Sequence, residues 1–532
     1  AAFLNSSLSP EQIKAVYRNL RAGKYKILYI APERLNGEGF VSLAQSVPIS
    51  LVAVDEAHCI SQWGQDFRPS YLKIVDFLEK LPRRPVLAAF TATATPQVRD
   101  DIVRILNMRE PVCVVTGFDR PNLNFEVLRP KDKASVLRTL LDQRRGKSGI
   151  VYCATRNNVE KLCGELRAAG VPATRYHAGL EDEERRQNQE DFLYDRCPVM
   201  VATNAFGMGI DKSNVSFVIH YQMPKSLEAY YQEAGRAGRD GEKADCILLY
   251  SPADIRTNQF LIQNSHGNEE LSEGERRTVM EQDLKRLDAM AGYCKTTECL
   301  RGSILDYFGQ AHEERCENCG NCRARFSLKD VTREAQIILS CVKRARDRLG
   351  YSVGATLLVH TLCGSAERRV RELGLDRLST YGLMKGISRA QVKEYLELLE
   401  TEGYLHTNAA HGGIELTEKA GNVLFRGEPV VMRKRERPVQ ETGQSREKTA
   451  AGAEMDNDLF AALKALRFQI AQRENVPAYI IFSNAALADM AAKAPRSMAE
   501  FLEVSGVGAV KAARYGEMFI NKIAKFEDGE RE

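Results

Sequence analysis

Long apolar runs are missing from this 532-residue chain: nothing in it approaches the roughly 20 consecutive residues that a membrane span needs. The opening Ala1-Ala2-Phe3-Leu4-Asn5 likewise has no basic flank and no extended apolar stretch, so no secretory leader is read there and a cytoplasmic address is expected. An excess of one charge is missing too, because 75 basic and 71 acidic residues leave only +4, too even a balance to argue for a polyanionic partner. The thirteen cysteines do not form an even framework, and Cys113, Cys153, Cys246 and Cys341 stand singly in apolar stretches, as small core residues do in a reducing compartment. Tryptophan is nearly absent, with one residue, Trp63. What is present, 44% hydrophobic and 27% charged residues over this length, calls for several cores.

The first half alternates short apolar runs with helical patterns, which predicts a parallel sheet covered by helices. Strands are expected at Lys26–Ile30, Leu51–Val54, Val86–Thr91, Gly149–Cys153, Val199–Ala202, Phe217–His220 and Asp245–Leu249, with ligands beyond their carboxyl ends. The clearest junction is Leu51-Val52-Ala53-Val54 followed by Asp55-Glu56-Ala57-His58. Two carboxylates and an imidazole at a strand end suit nucleotide hydrolysis, with Asp55 for Mg²⁺ and Glu56 for the attacking water, although an acidic turn would look similar over four residues. Just downstream, Trp63, Phe67 and Arg68 share a Gly- and Pro-punctuated polar loop where rings could stack on unpaired bases or act as core anchors.

Further on, Ala202-Thr203-Asn204-Ala205-Phe206-Gly207-Met208-Gly209-Ile210-Asp211-Lys212 offers glycines for close approach to phosphates, with Thr203, Gly209 and Asp211 as candidate contacts. In Tyr231-Gln232-Glu233-Ala234-Gly235-Arg236-Ala237-Gly238-Arg239, the two arginines are expected three apart on one helical face, reaching a γ-phosphate as arginine fingers. Cys299, Cys316, Cys319 and Cys322 contain two overlapping C-x-x-C steps and fit a closed structural Zn²⁺ site. Redox chemistry, an iron–sulfur cluster and competition from Cys294 are the alternatives. From about Val331 to Phe425 the pattern is helical, then a hairpin pairing Tyr404–Asn408 with Gly413–Thr417, which reads as a winged helix with His411 at the wing tip. Pro429–Asn457 reads as a flexible linker carrying Arg433-Lys434-Arg435-Glu436-Arg437, and Leu459–Lys525 as amphipathic helices.

The ordered set Tyr29-Ile30-Ala31-Pro32-Glu33-Arg34, Asp55–His58, Thr91-Ala92-Thr93, Gly117–Asn122, Tyr152–Arg156, Tyr176–Gly179, Ala202–Lys212 and Tyr231–Gly241 resembles bacterial RecQ-type helicases of superfamily 2. The Trp63 loop is similar to that family's aromatic-rich loop, and Val476-Pro477-Ala478-Tyr479-Ile480-Ile481-Phe482 to its HRDC domain. The resemblance implies a multidomain α/β protein: lobe 1 over residues 1–125, a second RecA-like lobe over 126–258, a helical zinc-binding subdomain over 259–326, a winged helix over 327–428, a linker over 429–456 and an all-α HRDC domain over 457–532. It favours Cys299 over Cys294 as the fourth thiol. It implies ATP-dependent 3′–5′ DNA unwinding in repair, recombination, replication and the SOS response, with ATP, Mg²⁺ and Zn²⁺ as cofactors. Asp55, Glu56, His58, Gln232, Arg236 and Arg239 are the implied catalytic residues, with Asp55, Gly209, Asp211, Arg236 and Arg239 at the nucleotide. Trp63, Phe67, Arg68, Arg156, Thr203, His411 and Tyr479 are the implied contacts to single-stranded and duplex DNA. The implied partner is the single-stranded DNA-binding protein, and the implied address is the bacterial nucleoid.

One departure stands out. A P-loop needs Gly-x-x-x-x-Gly-Lys-Ser/Thr after a strand. Gly146-Lys147-Ser148 is the nearest match, but Leu141 occupies the first Gly position and the triplet precedes a strand. The family's Gln motif and P-loop are therefore expected upstream of Ala1, so the chain reads as an N-terminally truncated fragment with little or no ATPase activity. The rival readings are a non-catalytic DNA-binding module and an RNA helicase.

Overall fold

The computed structural model describes residues 1–5, 8–207, 212–264, 271–408, 412–436, 452–474 and 476–527. It divides into two compact units, one drawn from 1–294, 299–320 and 445–532, the other from 295–298 and 321–444.

The first unit opens with two parallel strand pairs, β1 (Ala2–Leu4) with β2 (Leu28–Ile30) and β3 (Leu51–Val54) with β4 (Val86–Ala89). The helix Pro10–Arg21 begins at a reciprocal capping box between Ser9 and Gln12, and its neighbours bury Phe40, Leu43, Ile74, Phe77 and Ile102 against Leu4 and Val54. A six-stranded sheet follows: β5 (Leu123–Leu128), β6 (Ser148–Tyr152), β7 (Ala173–Tyr176), β8 (Val199–Ala202), β9 (Val215–His220) and β10 (Ala244–Leu249). Its order is β5-β10-β9-β6-β8-β7, and every neighbouring pair is parallel. Helices cover both faces, which is why Ile150, Val151, Met200, Val201, Val218 and Ile219 are fully buried and their strands read as continuous apolar runs. Gly149 belongs to that packing, since a Cβ there would fall 2.2 Å from the Phe217 ring.

The same unit holds the helices Pro252–Gln263, Glu273–Lys295 and Leu300–Tyr307, and a C-terminal bundle from Gly452–Glu474 to Ala509–Glu527 built on Leu463, Phe482, Phe501 and Phe519. That bundle docks on the six-stranded lobe, where Lys464 Nζ donates to the Gly146 carbonyl at 3.1 Å and Lys212 Nζ lies 5.9 Å from the Tyr479 ring.

The second unit comprises β11 (Phe326–Asp330), the helices Thr332–Leu349, Ala355–Leu362, Arg368–Glu372 and Arg389–Thr401, the antiparallel hairpin β12 (Leu405–Thr407) with β13 (Ile414–Leu416), and β14 (Val431–Arg435). A helical core flanked by a two-stranded wing is the expected winged helix; His411 at the wing tip lies outside the described residues. One expectation is corrected. Val431–Arg435 is no linker but a strand paired antiparallel with β11, so the basic run is held by a ladder that its local composition does not signal. The expected linker is cut again at Gly452, where a helix starts.

Candidate active site and metal centre

β3 ends at Val54, and the chain turns through Glu56 in the left-handed region (φ 47°) into the short helix Ala57–Ile60. The Glu56 amide donates to Asp55 Oδ1 at 2.9 Å, and Asp55 itself is exposed. Burial and the neighbouring Asp55 raise the Glu56 carboxyl, while Arg236 and Arg68 pull it back. His58 is buried, 2.8 Å by Nδ1 from Thr91 Oγ1 and 3.3 Å from Glu56 Oε2. Burial lowers its pKa to about 4, so at neutral pH it is an uncharged positioning group that ties the acidic turn to Thr91.

Across the cleft, the helix Leu227–Ala234 brings Gln232 within 3.3 Å of both Glu56 Oε1 and Gln65 Nε2, and Gln65 also reaches Thr93 Oγ1 at 3.4 Å. The expectation of two arginines on one helical face is corrected: the helix stops at Ala234, and Arg236 and Arg239 lie on the turns that follow. Gly238 (φ 57°) makes the tight turn, leaving no room for a Cβ, which would stand 2.4 Å from Asn122 Nδ2. Both arginines nevertheless line the cleft, an opening of about 1480 Å³ bordered by Glu56, Thr91, Arg99, Gly207 and Gln232. Arg236 is buried and donates to the Gly207 carbonyl at 2.6 Å, while its Nε has no hydrogen-bond partner. A larger residue at Gly207 would displace the guanidinium, because a Cβ would sit 2.2 Å from it. A buried cation with an unused donor, facing a half-buried carboxylate whose pKa is raised, suits a phosphate and an attacking water.

Local reading missed the residues that set this geometry. Arg120 donates to the carbonyls of Ala237 and Gly238 at 3.3 and 2.9 Å, and Asn122 Nδ2 to those of Gly238 and Glu242, each at 2.8 Å. Their signal was the motif Gly117–Asn122, whose partners lie more than 110 residues away. Gln65 gave no signal beyond membership of the Trp63 loop.

Of the expected DNA contacts, Trp63 is 43% exposed, and Arg68 and Arg156 are exposed. Phe67 is corrected: at 8% exposure it anchors the loop in the core instead of facing solvent. Thr203 is also buried, its hydroxyl accepting from the Ala205 amide at 3.4 Å, so it braces its loop from within. Tyr479 is half-buried beside Lys212. Gly209 and Asp211 lie outside the described residues.

The sulfurs of Cys299, Cys316, Cys319 and Cys322 all lie within 4.8 Å of one another. Four thiolates about 2.3 Å from one Zn²⁺ stand roughly 3.8 Å apart, so the cluster fits that ion. Cys299 caps the helix Leu300–Tyr307, accepting from the Gly302 amide at 3.3 Å, whereas Cys294 is buried outside the cluster.

Five family models match in chain order: DEAD/DEAH box helicase at residues 2–102, helicase conserved C-terminal domain at 132–241, RecQ zinc-binding at 252–323, RQC domain at 325–441 and HRDC domain at 456–523. The chain is 42% identical over 528 residues to the ATP-dependent DNA helicase RecQ of Bacillus subtilis, covering 99% of this chain and 85% of that protein. To the RecQ helicases of Pasteurella multocida and Haemophilus influenzae it is 38% and 36% identical, over 98% of this chain in both cases and 81% and 83% of theirs. No helix of the described residues is long and apolar enough to cross a membrane. With its two-lobed cleft, its zinc-binding cysteine cluster and all five matches in order, this chain belongs to the RecQ family of ATP-dependent DNA helicases.

Proposed function

We propose that the cleft couples ATP hydrolysis to 3′–5′ translocation on DNA, with Asp55 holding Mg²⁺, Glu56 orienting the attacking water, and Arg236 and Arg239 reaching the γ-phosphate. The observation that carries this reading is the Gln232 bridge: one side chain from the second lobe meets both Glu56 at the acidic turn and Gln65 in the aromatic loop of the first. A loop whose Trp63 stacks on a base would thereby sense DNA within one residue of the hydrolytic carboxylate. Arg68 and Arg156 add phosphate contacts, the winged helix grips duplex DNA, and Tyr479 contributes once it leaves Lys212.

Repair, recombination, replication and the SOS response are the processes this activity would serve, in the bacterial cytoplasm at the nucleoid, with the single-stranded DNA-binding protein as a recruiting partner. The 532 residues contain no Gly-x-x-x-x-Gly-Lys-Ser/Thr, so taken alone they should bind DNA but hydrolyse ATP poorly. In a form of the protein that carries a P-loop, strand displacement is expected on a 3′-tailed DNA duplex with ATP and Mg²⁺, and Glu56→Gln should abolish it. Displacement of RNA duplexes instead, or full activity in Glu56→Gln, would contradict the reading.

A further inference from the structure

The loop that presents Trp63 is held from a distant part of the chain. On the helix Glu273–Lys295, Arg286 is buried at 8% exposure and donates through Nη2 to the carbonyls of Gln62 and Gly64, at 3.2 and 2.8 Å. Those carbonyls flank Trp63 on either side. The guanidinium is itself fixed, because Nη1 donates to Asp283 at 2.5 Å and Nε lies 4.0 Å from Glu228, which accepts from the Tyr307 hydroxyl at 2.7 Å. The backbone also passes close to itself at this point, since a Cβ at Gly64 would fall 2.2 Å from the His58 carbonyl.

We propose that Arg286 is a positioning residue for DNA coupling: its two bonds to the backbone on either side of Trp63 hold the indole where a base can stack on it. The inference rests on the reading of Trp63 as a base contact. Arginine suits the task because one planar cation can serve two carbonyls and a carboxylate together, whereas the shorter-headed lysine ammonium cannot span the same fork. Glu228 and Tyr307 then place the helix Leu227–Ala234, which carries Gln232, and the helix Leu300–Tyr307, which begins at the zinc ligand Cys299, against the same guanidinium cluster. The zinc-binding helices are thus joined to the DNA-sensing loop through one side chain.

The full chain can test this without nucleotide, because Trp63 is its only tryptophan and its emission reports this loop alone. Arg286→Ala and Arg286→Lys are compared with the parent by acrylamide quenching of Trp63 and by titration with single-stranded DNA, with far-UV circular dichroism and zinc content as measures of folding. Both variants should make Trp63 more accessible to acrylamide and weaken DNA binding, Arg286→Ala on the order of tenfold, the scale of one lost base stack. Tyr307→Phe, which removes one hydroxyl from the same cluster but keeps both loop carbonyl bonds, should leave Trp63 as in the parent. Parent-like quenching and affinity in folded Arg286→Lys would overturn the proposal, and so would an equal shift in Tyr307→Phe. Should Arg286→Ala fail to fold, the lysine variant decides alone. A parent Trp63 that ignores DNA would refute the base-contact reading, while quenching in the DNA-free variants would still decide the role of Arg286.

Discussion

In the second lobe Val151, Val201 and Ile219 are fully buried, whereas in the first Leu51 and Val86, which pair with each other at the start of β3 and β4, remain 54% and 69% exposed. Tyr29 in β2 and Phe3 in β1 are also exposed. The strands of both lobes are of one apolar kind, so composition locates a strand but its neighbours determine its burial. In the second lobe six parallel strands enclose one another between helices; in the first, the described residues form only two separate pairs. The cleft is lined from both settings, by Glu56 from the open lobe and Arg236 from the closed one, and the proposed mechanism would draw one half of its chemistry from each. Substitutions in the buried strands of the second lobe should therefore cost stability, and those at the β3 turn should cost chemistry first.

The largest effect expected is on catalysis from the closed side. Arg236→Ala, in a P-loop-bearing form, should lower turnover by about 10³-fold or more, the scale of an arginine finger. Single-turnover hydrolysis checks it, and a loss below about tenfold would move the role elsewhere. Next comes pH. The pKa of His58 in the first lobe is depressed to about 4 by burial, so the unfolded chain binds the proton more readily. The stability His58 contributes is fully present above about 6.5 and is lost as pH falls from there toward 4, on the order of 3 kcal/mol at most. In the second lobe, burial of Asp195 is outweighed by Lys212, Ser148 and Asn214, which hold its pKa below the usual carboxylate value. Its contribution is lost only as pH falls below that usual range. Acid unfolding followed by hydrogen exchange should thus open the first lobe before the second, and His58→Gln should shrink the gap.

Packing gives the smallest effects and the cleanest contrast. Gly149→Ala drives a Cβ against Phe217 and should cost about 1–3 kcal/mol in thermal unfolding. In these 532 residues Leu51→Ala should cost less than about 1 kcal/mol, because half its surface is in water. Equal costs at the two sites would erase the distinction between the lobes.

Much of this was legible in the residues. Leu51–Val54 and Val199–Ala202 form strands with the expected bounds, because an unbroken apolar run next to a polar turn leaves few other readings. β5 was missed although Leu123, Phe125 and Val127 alternate as buried residues, since Asn124 and Glu126 interrupt the run. β14 was missed because Arg433-Lys434-Arg435 is a strand only by virtue of its pairing with β11. Cys316, Cys319 and Cys322 were legible from spacing, since their chemistry is local, whereas only the family resemblance favoured Cys299 over Cys294 as the fourth thiol. Arg120, Gln65 and Arg286 were not, because each acts through a carbonyl or amide far away in sequence, and nothing in a single chain's periodicity records such a partner. The arginine turn departs from the expected helical face for a related reason: the helix stops at Ala234, and Gly235 and Gly238 carry the chain through the turns that follow.

DNA-stimulated ATP hydrolysis, measured for these 532 residues beside any longer product of the same coding region that contains a P-loop, tests the account most directly. Hydrolysis in the longer form alone, stimulated by single-stranded DNA and abolished by Glu56→Gln, is the predicted result. Tight DNA binding without hydrolysis in both forms, or hydrolysis indifferent to Glu56→Gln, would contradict it.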